Sequence, residues 1–367
     1  MALFDLVFEG GGAKGMAFVG ALKVFAAAGH THRRLLGTSA GAITATLTGA
    51  GYTPDELFQA CTAVVPGTTD PVFTTFMDSP GRADFTPEII DGCETMVLLE
   101  QAKKFPFNKV LEATERKLLE ALLEIRLYRE LFSFNECGGF YAGDAALSWF
   151  RDRLVEKGMA ANVTWKDFAA KTGSDVSVVT TDTTAKASVV LNARTAPDCP
   201  VAESVRMSMS IPFVWREMIW NTAWGKYQGA DLTGHIFVDG GVLSNFPLWL
   251  VDEISARVTH IMGNTDPMGA GTIGLYLDSK QPVPGAADST TRRPQLRAAD
   301  RTTNLIDTMT DSRDLEVMNE KITEVCRIPV GGYGTTEFRM SADKQQKLID
   351  SGATAMKAYL AGLTTRV

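Results

Sequence analysis

A serine between two glycines is the residue of this chain best placed for covalent chemistry. The segment Gly37-x-Ser39-x-Gly41 stands after a short apolar run and before a helix-like run. A serine nucleophile needs this arrangement, because the chain turns sharply from strand to helix and leaves little room for flanking side chains. The N–H groups at the start of the helix then face the negative charge that develops during acyl transfer. The pattern predicts a nucleophilic serine, although a structural turn of small residues has the same composition.

A glycine run near the N-terminus is suited to stabilising that charge. Gly10-Gly11-Gly12 directly follows a strand-like apolar segment. Glycine lets backbone N–H groups approach a substrate closely and adopts positive φ without strain. The N–H of Ala40, directly after the serine, is a second expected donor. One such donor is typically worth about 3–4 kcal/mol of the barrier.

The histidines do not stand where a catalytic base is expected. Two lie in a loop after the first predicted helix, remote from the strand ends where such sites form. A third begins a predicted strand. The fourth lies inside an apolar run, although it would complete the Ser–Asp–His chain order of triad hydrolases. The four histidines are His30, His32, His235 and His260.

Asp239 is the better candidate for the base that accepts the proton of Ser39. It ends a strand-like run and is followed by Gly240 and Gly241. Sheet enzymes gather functional groups at the carboxyl ends of their strands. An aspartate before glycine is also common in structural turns, and this remains the alternative for Asp239 taken alone.

Taken together and in this order, Gly-Gly-Gly-x-Lys-Gly, Gly-x-Ser-x-Gly and Asp-Gly-Gly resemble the motifs of the patatin-like phospholipases. The segment from Ser208 to Pro212 is similar to a further family block, and the resemblance extends from Asp5 to about Leu360. It implies a three-layer α/β sandwich with a mostly parallel central sheet flanked by helices.

The resemblance also implies a role for each motif residue. Ser39 would be the nucleophile and Asp239 the base of a Ser–Asp dyad. Lys14 stands at a basic position of the family, which implies substrate binding; a solvated or salt-bridging lysine is the alternative. The implied oxyanion loop consists of Gly10, Gly11, Gly12 and Gly15.

The implied activity is hydrolysis of carboxylic esters of phospholipids or lysophospholipids at a membrane or micelle surface, through an acyl-serine. These residues require no metal and no cofactor. The same dyad would serve a neutral-lipid lipase or an acyltransferase, and a non-catalytic lipid-binding protein could retain the fold. From another class, Gly10-x-Gly12-x-x-Gly15 also satisfies the dinucleotide fingerprint. The positions that should then hold the ribose are basic (His30 to Arg34), which would suit only a 2′-phosphate.

The composition of the chain indicates which partners and which cellular location are expected. The chain of 367 residues has a formal net charge of -7, which argues against nucleic acid as a partner. Its five cysteines are dispersed and lack metal-ligand spacing, as is typical of reduced thiols in a cytoplasmic protein. We find no transmembrane segment and no cleavable signal, so we expect a cytoplasmic protein that can be peripheral on membranes.

The order of predicted elements indicates one α/β domain over residues 1–367. Two strand–turn–helix units in the first fifty residues predict a parallel sheet. Residues 52–138 are predicted to be a helical insertion, with a long amphipathic stretch at Val110–Phe132. Within it, apolar Pro71–Met77 would be either a loop packed on the core or a lid that contacts lipid.

The second half of the chain is predicted to complete the sheet. We expect strands at Ser174–Thr181, Ala187–Leu191 and Val258–Gly263. Residues 264–300 contain many Gly, Pro and Ser residues and are expected to form a mobile loop. A short strand at Val325–Val330 is then expected between two helices, Asn304–Val325 and Ser341–Ala361.

Overall fold

The two predicted strand–turn–helix units form the centre of the fold. β1 (Leu3–Phe8) leads through the glycine run into α1 (Ala17–Ala27), and β2 (Thr31–Thr38) leads through Ser39 into α2 (Ala40–Gly49). The two strands pair in parallel. Their carboxyl ends, and therefore both glycine motifs, lie at the same edge of the sheet.

The computed structural model describes residues 1–94, 119–252, 255–263, 269–285, 308 and 323–364. Further helices are α3 (Pro54–Thr62), α4 (Pro87–Gly92), α5 (Arg126–Cys137), α6 (Asp144–Glu156), α7 (Trp165–Thr172), α8 (Val201–Ser208), α9 (Trp249–Asp252), α10 (Ala256–Met262) and α11 (Ala342–Thr364). Further strands are β3 (Gly139–Tyr141), β4 (Asp175–Asp182), β5 (Ala187–Leu191), β6 (Phe213–Trp215), β7 (Met218–Ile219), β8 (Ile236–Asp239), β9 (Gly271–Pro282) and β10 (Val325–Gly331).

The central sheet has eight strands in the order β10-β9-β1-β2-β4-β8-β7, with β5 also paired to β4. Neighbouring strands are parallel from β10 through β9, β1 and β2 to β4. β5 and β8 are antiparallel to β4, and β7 is antiparallel to β8. Alternate strand residues feed two cores. Leu6, Phe8 and Leu35 belong to a large core that includes α1 and α11, while Val7 and Leu36 pack with α9 and α10. The predicted three-layer arrangement with a mostly parallel sheet is confirmed.

One edge of β4 is shared by two strands that run towards each other. β5 occupies the other edge, since Val179 and Thr180 both pair with it. Along the shared edge, Thr38 of β2 pairs with Val179, and Asp239 of β8 pairs with the next residue, Thr180. The carboxyl ends of β2 and β8 therefore meet head-on.

The described part of the 52–138 insertion consists of short helices and turns. The apolar segment Pro71–Met77 contains a 3-10 helix at Val72–Phe76, and Phe76 is buried in the main core. The predicted amphipathic stretch Val110–Phe132 is described from residue 119 onwards. There, a turn at 123–125 separates residues 119–122 from α5.

Two predictions for the second half of the chain are wrong. Val258–Gly263 is not a strand: residues 258–262 lie in α10 and Gly263 follows the helix. Val258, Ile261 and Met262 recur at helical spacing, and the Ser255 side chain caps the helix by accepting a hydrogen bond from the Val258 N–H.

The predicted loop 264–300 contains the buried strand β9, which lies between β1 and β10. Its glycines suggested a loop. However, a methyl group on Gly274 would come within 2.4 Å of the Phe246 ring, so this glycine reflects close packing rather than irregular structure. Residues 286–300 of the predicted loop, and nearly all of the predicted helix 304–325, lie outside the described residues.

Across the described ranges, no helix combines the length and the apolar character needed to cross a bilayer.

Candidate active site

Ser39 occupies a strained turn between β2 and α2. Its backbone has φ 53° and ψ -119°, in a region that only glycine adopts easily. The neighbouring glycines permit the turn, since a methyl group on Gly41 would approach the Phe8 carbonyl oxygen to 2.3 Å and one on Gly37 would collide with the backbone of Gly41. Such strain persists only where the surroundings fix it, and it is typical of functional sites.

Asp239 is fully buried and keeps one carboxylate oxygen without a conventional partner. Oδ1 accepts a hydrogen bond of 2.7 Å from the Gly241 N–H. Oδ2 has no hydrogen-bond partner of normal geometry in the described part of the chain. Burial raises the pKa of Asp239 to about 7, against the opposing effects of the nearby Ser39 hydroxyl and of the hydrogen bond from the Gly241 N–H.

The structure brings Ser39 and Asp239 together because their strands meet on the edge of β4. The Ser39 hydroxyl is close enough to lower the pKa of Asp239, yet the contact is longer or less well aligned than a normal hydrogen bond. Catalytic hydrogen bonds are often of this kind before substrate binds. Asp239 stands at the carboxyl end of a strand, as the sequence predicts; this strand, β8, is antiparallel to β4 and reaches the site from the direction opposite to β2.

The glycine run lies against this turn. Gly12 has φ 54°, and a methyl group there would lie 2.2 Å from the Thr335 carbonyl oxygen. A methyl group on Gly15 would lie 2.6 Å from Cβ of Ala40. Among the described residues we find no acceptor for the N–H of Gly11 or Gly12. These donors and the first N–H of α2 are available to an oxyanion.

A buried polar contact fixes the base of this loop. The Gly10 N–H donates to the Asn245 carbonyl oxygen at 3.0 Å, and the Asn245 side-chain amide donates to Oε1 of Glu9 at 3.1 Å. The other oxygen of Glu9 accepts from the N–H of Leu277 in β9. Sequence analysis did not single out Asn245, because a lone asparagine after a glycine turn has no distinctive spacing.

An apolar cavity opens in front of Ser39. Three of the predicted oxyanion-hole residues, Gly12, Gly15 and Ala40, line this cavity together with Ser39. The apolar lining comes from distant parts of the chain: Met16, Ile43, Phe73, Phe76, Met209, Ile211, Trp215 and Phe338. The two phenylalanines belong to the Pro71–Met77 segment, which therefore packs on the core and also forms a wall of the cavity.

Lys14 does not line this cavity. Its Nζ donates to the hydroxyl of Ser279 in β9 at 3.0 Å, and its side chain is largely buried. The structure thus places it with the sheet rather than with the space where a substrate would lie.

The histidines also lie elsewhere in the described structure. His30 packs its ring against Phe4 at 5.2 Å. His235 contacts Asp182 through Nδ1 at 2.7 Å, and His260 lies in α10 beside a separate cavity. Burial lowers the pKa of His32 at the start of β2.

The dinucleotide alternative does not fit this geometry. His32 to Arg34 begin β2, where Phe4 pairs with His32. The basic residues therefore lie at the opposite end of the strands from the glycine run, whereas a ribose or its phosphate would bind at the same end.

Fold and site together define a three-layer α/β protein with a buried serine–aspartate pair beside an apolar cavity. The chain belongs to the patatin-like phospholipase family, whose sequence model matches residues 6–252. This match includes Ser39 and Asp239, and family membership supports lipid hydrolase activity. The uncharacterized protein YqhO of Bacillus subtilis strain 168 is 27% identical over 368 residues, covering 97% of each chain.

Solved structures resemble the chain more distantly. VipD from Legionella pneumophila is 14% identical with a TM-score of 0.48, and the match covers 98% of this chain and 67% of VipD. The type III effector ExoU is 15% identical with a TM-score of 0.42, covering 99% of this chain. This chain spans about half of the ExoU structure, 53% of its length.

Proposed function

We propose that the protein is a serine-dependent lipid acyl hydrolase that cleaves carboxylic ester bonds of phospholipids or lysophospholipids. The observation that carries this proposal is the pairing of a strained, buried Ser39 with a buried carboxylate whose Oδ2 lacks a normal partner. Ser39 also lines a cavity whose walls are almost entirely apolar, as a fatty acyl chain requires.

The proposed reaction has two steps on the same residues. Oγ of Ser39 attacks the ester carbonyl carbon while Oδ2 of Asp239 accepts the hydroxyl proton. The N–H groups of Gly11, Gly12 and Ala40 stabilise the oxyanion, and Asp239 returns the proton to the leaving alcohol. Water then attacks the acyl-serine, giving its proton to Asp239, and the fatty acid leaves as Ser39 regains its hydroxyl proton.

A defined panel of lipid esters tests the proposal. Phospholipid, lysophospholipid and triacylglycerol are incubated with wild-type protein and with Ser39→Ala, and the products are identified by mass spectrometry. We expect free fatty acid from the phospholipid substrates with the wild type only. Acyl transfer to an added alcohol in place of water, or cleavage of triacylglycerol alone, would identify an acyltransferase or a neutral-lipid lipase instead. If Ser39 did not react with a fluorophosphonate lipid analogue, a non-catalytic lipid-binding protein would be indicated.

The raised pKa of Asp239 predicts the acid limb of the pH–rate profile. Asp239 acts as a base only when ionised, and its pKa is raised to about 7 by burial. We therefore expect kcat/KM on a soluble ester to fall about tenfold per pH unit below this value and to level off above it. Full activity maintained down to pH 5 would contradict a base with this pKa.

A further inference from the structure

We propose that Ser208 is a positioning residue that holds the backbone of Ser39 in its reactive conformation. This inference rests on the proposed function, because it concerns the geometry of the nucleophile. Ser208 ends α8, is fully buried and does not line the cavity in front of Ser39. It therefore acts through Ser39 rather than through contact with substrate.

The hydroxyl of Ser208 bridges the Ser39 turn and strand β4. Its Oγ accepts a hydrogen bond of 2.9 Å from the N–H of Ser39, and it donates one of 2.6 Å to the carbonyl oxygen of Val179. Val179 is the β4 residue that pairs with Thr38, at the point where β2 and β8 both end on the shared edge. The bridge ties the strained turn to the strand that also aligns Asp239.

The bridge acts on the strained residue itself. A φ of 53° and ψ of -119° form a strained backbone conformation, which persists only when surrounding contacts fix it. The N–H of Ser39 precedes the first turn of α2 and has no helical acceptor. Without the Ser208 hydroxyl this N–H would be buried and unpaired, and rotation of its peptide unit towards another acceptor would move Cβ and Oγ of the nucleophile.

The segment directly after α8 also holds Asp239, the other residue of the pair. The carbonyl oxygen of Ser210, two residues beyond Ser208, accepts the N–H of Asp239 at 2.8 Å. The side chain of Arg206 donates to the Ser210 hydroxyl and to the carbonyl oxygens of Ala142 and Gly143. The end of α8 is thus fixed to its surroundings, so the Ser208 hydroxyl has a defined place from which to orient Ser39.

Ser208→Ala, compared with Ser204→Ala, tests the inference. Ser204 is a matched control because its hydroxyl is equally buried one helical turn earlier and binds the Trp165 indole N–H at 2.8 Å, away from the site. With a soluble short-chain ester, we expect Ser208→Ala to lower kcat about 10- to 100-fold with little change in KM. The rate of fluorophosphonate labelling at Ser39 should fall in parallel, whereas Ser204→Ala should lower only the melting temperature.

The pH profile separates positioning from general destabilisation. The Ser39 hydroxyl lowers the pKa of Asp239, so a displaced Ser39 should let that pKa rise and move the acid limb to higher pH. Ser208→Cys keeps a polar atom on Cβ but makes it a weak donor and acceptor, and it should show the same changes to a smaller extent if Ser208→Ala does not fold. Equal kcat values for the Ser208 and Ser204 variants, or an unmoved limb, would overturn the inference. A wild-type protein inert towards ester and label, in contrast, would overturn the proposed function and with it this role.

Discussion

Ser39→Ala is expected to abolish ester hydrolysis while leaving the fold intact. The substitution removes only Oγ, and alanine leaves the backbone contacts of the turn in place, including the bond from the Ser39 N–H to Ser208. Loss of a serine nucleophile removes the covalent pathway, so we expect kcat to fall by at least about 10⁴-fold. Initial rates on a soluble ester and on phospholipid vesicles measure the loss, and circular dichroism verifies the fold.

Ser188→Ala is the matched control for this experiment. The hydroxyl of Ser188 is buried, has no hydrogen-bond partner among the described residues, and faces a different cavity. Its removal should leave the rates unchanged. A Ser39→Ala protein with rates comparable to the wild type would show that another group forms the covalent intermediate, or that none is formed.

The features that the sequence predicted correctly are local ones. The two strand–turn–helix units depend on apolar runs and glycines within a few residues of each other, and Ser39 lies in the turn of the second. The strand β4 and its hairpin partner β5 were also predictable, because their β-branched residues are adjacent in the chain. Local patterning specifies such units before any long-range contact is made.

The sequence did not predict how distant segments meet. β9 contains glycines that suggested a loop, and only its position between β1 and β10 explains why they are needed. The contact of Lys14 was not predicted for the same reason, because its partner Ser279 lies on β9, which was predicted to be a loop. Ser208 contacts Ser39 across 169 positions of the chain. The family resemblance included the segment from Ser208 to Pro212, but it did not indicate which group the Ser208 hydroxyl binds.

The position of Asp239 was predicted for an incomplete reason. A carboxylate at a strand end was expected to join the other strand ends of a parallel sheet. In the structure β8 is antiparallel to β4, and Asp239 meets Ser39 because β2 and β8 share one edge of β4. Strand direction depends on pairings far along the chain, so periodicity alone could not distinguish the two arrangements.

Asp239→Asn is expected to lower kcat/KM by about 10²–10⁴-fold, because an amide cannot accept the proton of Ser39. The asparagine oxygen can still accept the Gly241 N–H, which preserves the turn after β8.

The carboxyl group of Asp239 also makes the stability of the wild-type protein depend on pH. Burial raises the pKa of Asp239 from 3.8 to about 7, so the folded protein favours the protonated carboxyl. Wild-type stability should therefore decline as the pH rises from about 4 through 7, where the unfolded chain ionises freely and the folded one does not.

Asp239→Asn removes this pH dependence of stability. Its turnover and its melting temperature together test the assignment of Asp239 as the base. Asp239→Asn should melt at a higher temperature than the wild type at pH 8, and this advantage should vanish near pH 4. Asp182→Asn is a suitable control, since Asp182 is equally buried on the paired strand β4 but binds His235 rather than the nucleophile. It should retain most of the activity. An Asp239→Asn protein that kept wild-type turnover would exclude this carboxylate as the base, and one without the gain in stability at pH 8 would mean that Asp239 is ionised in the folded protein at little cost.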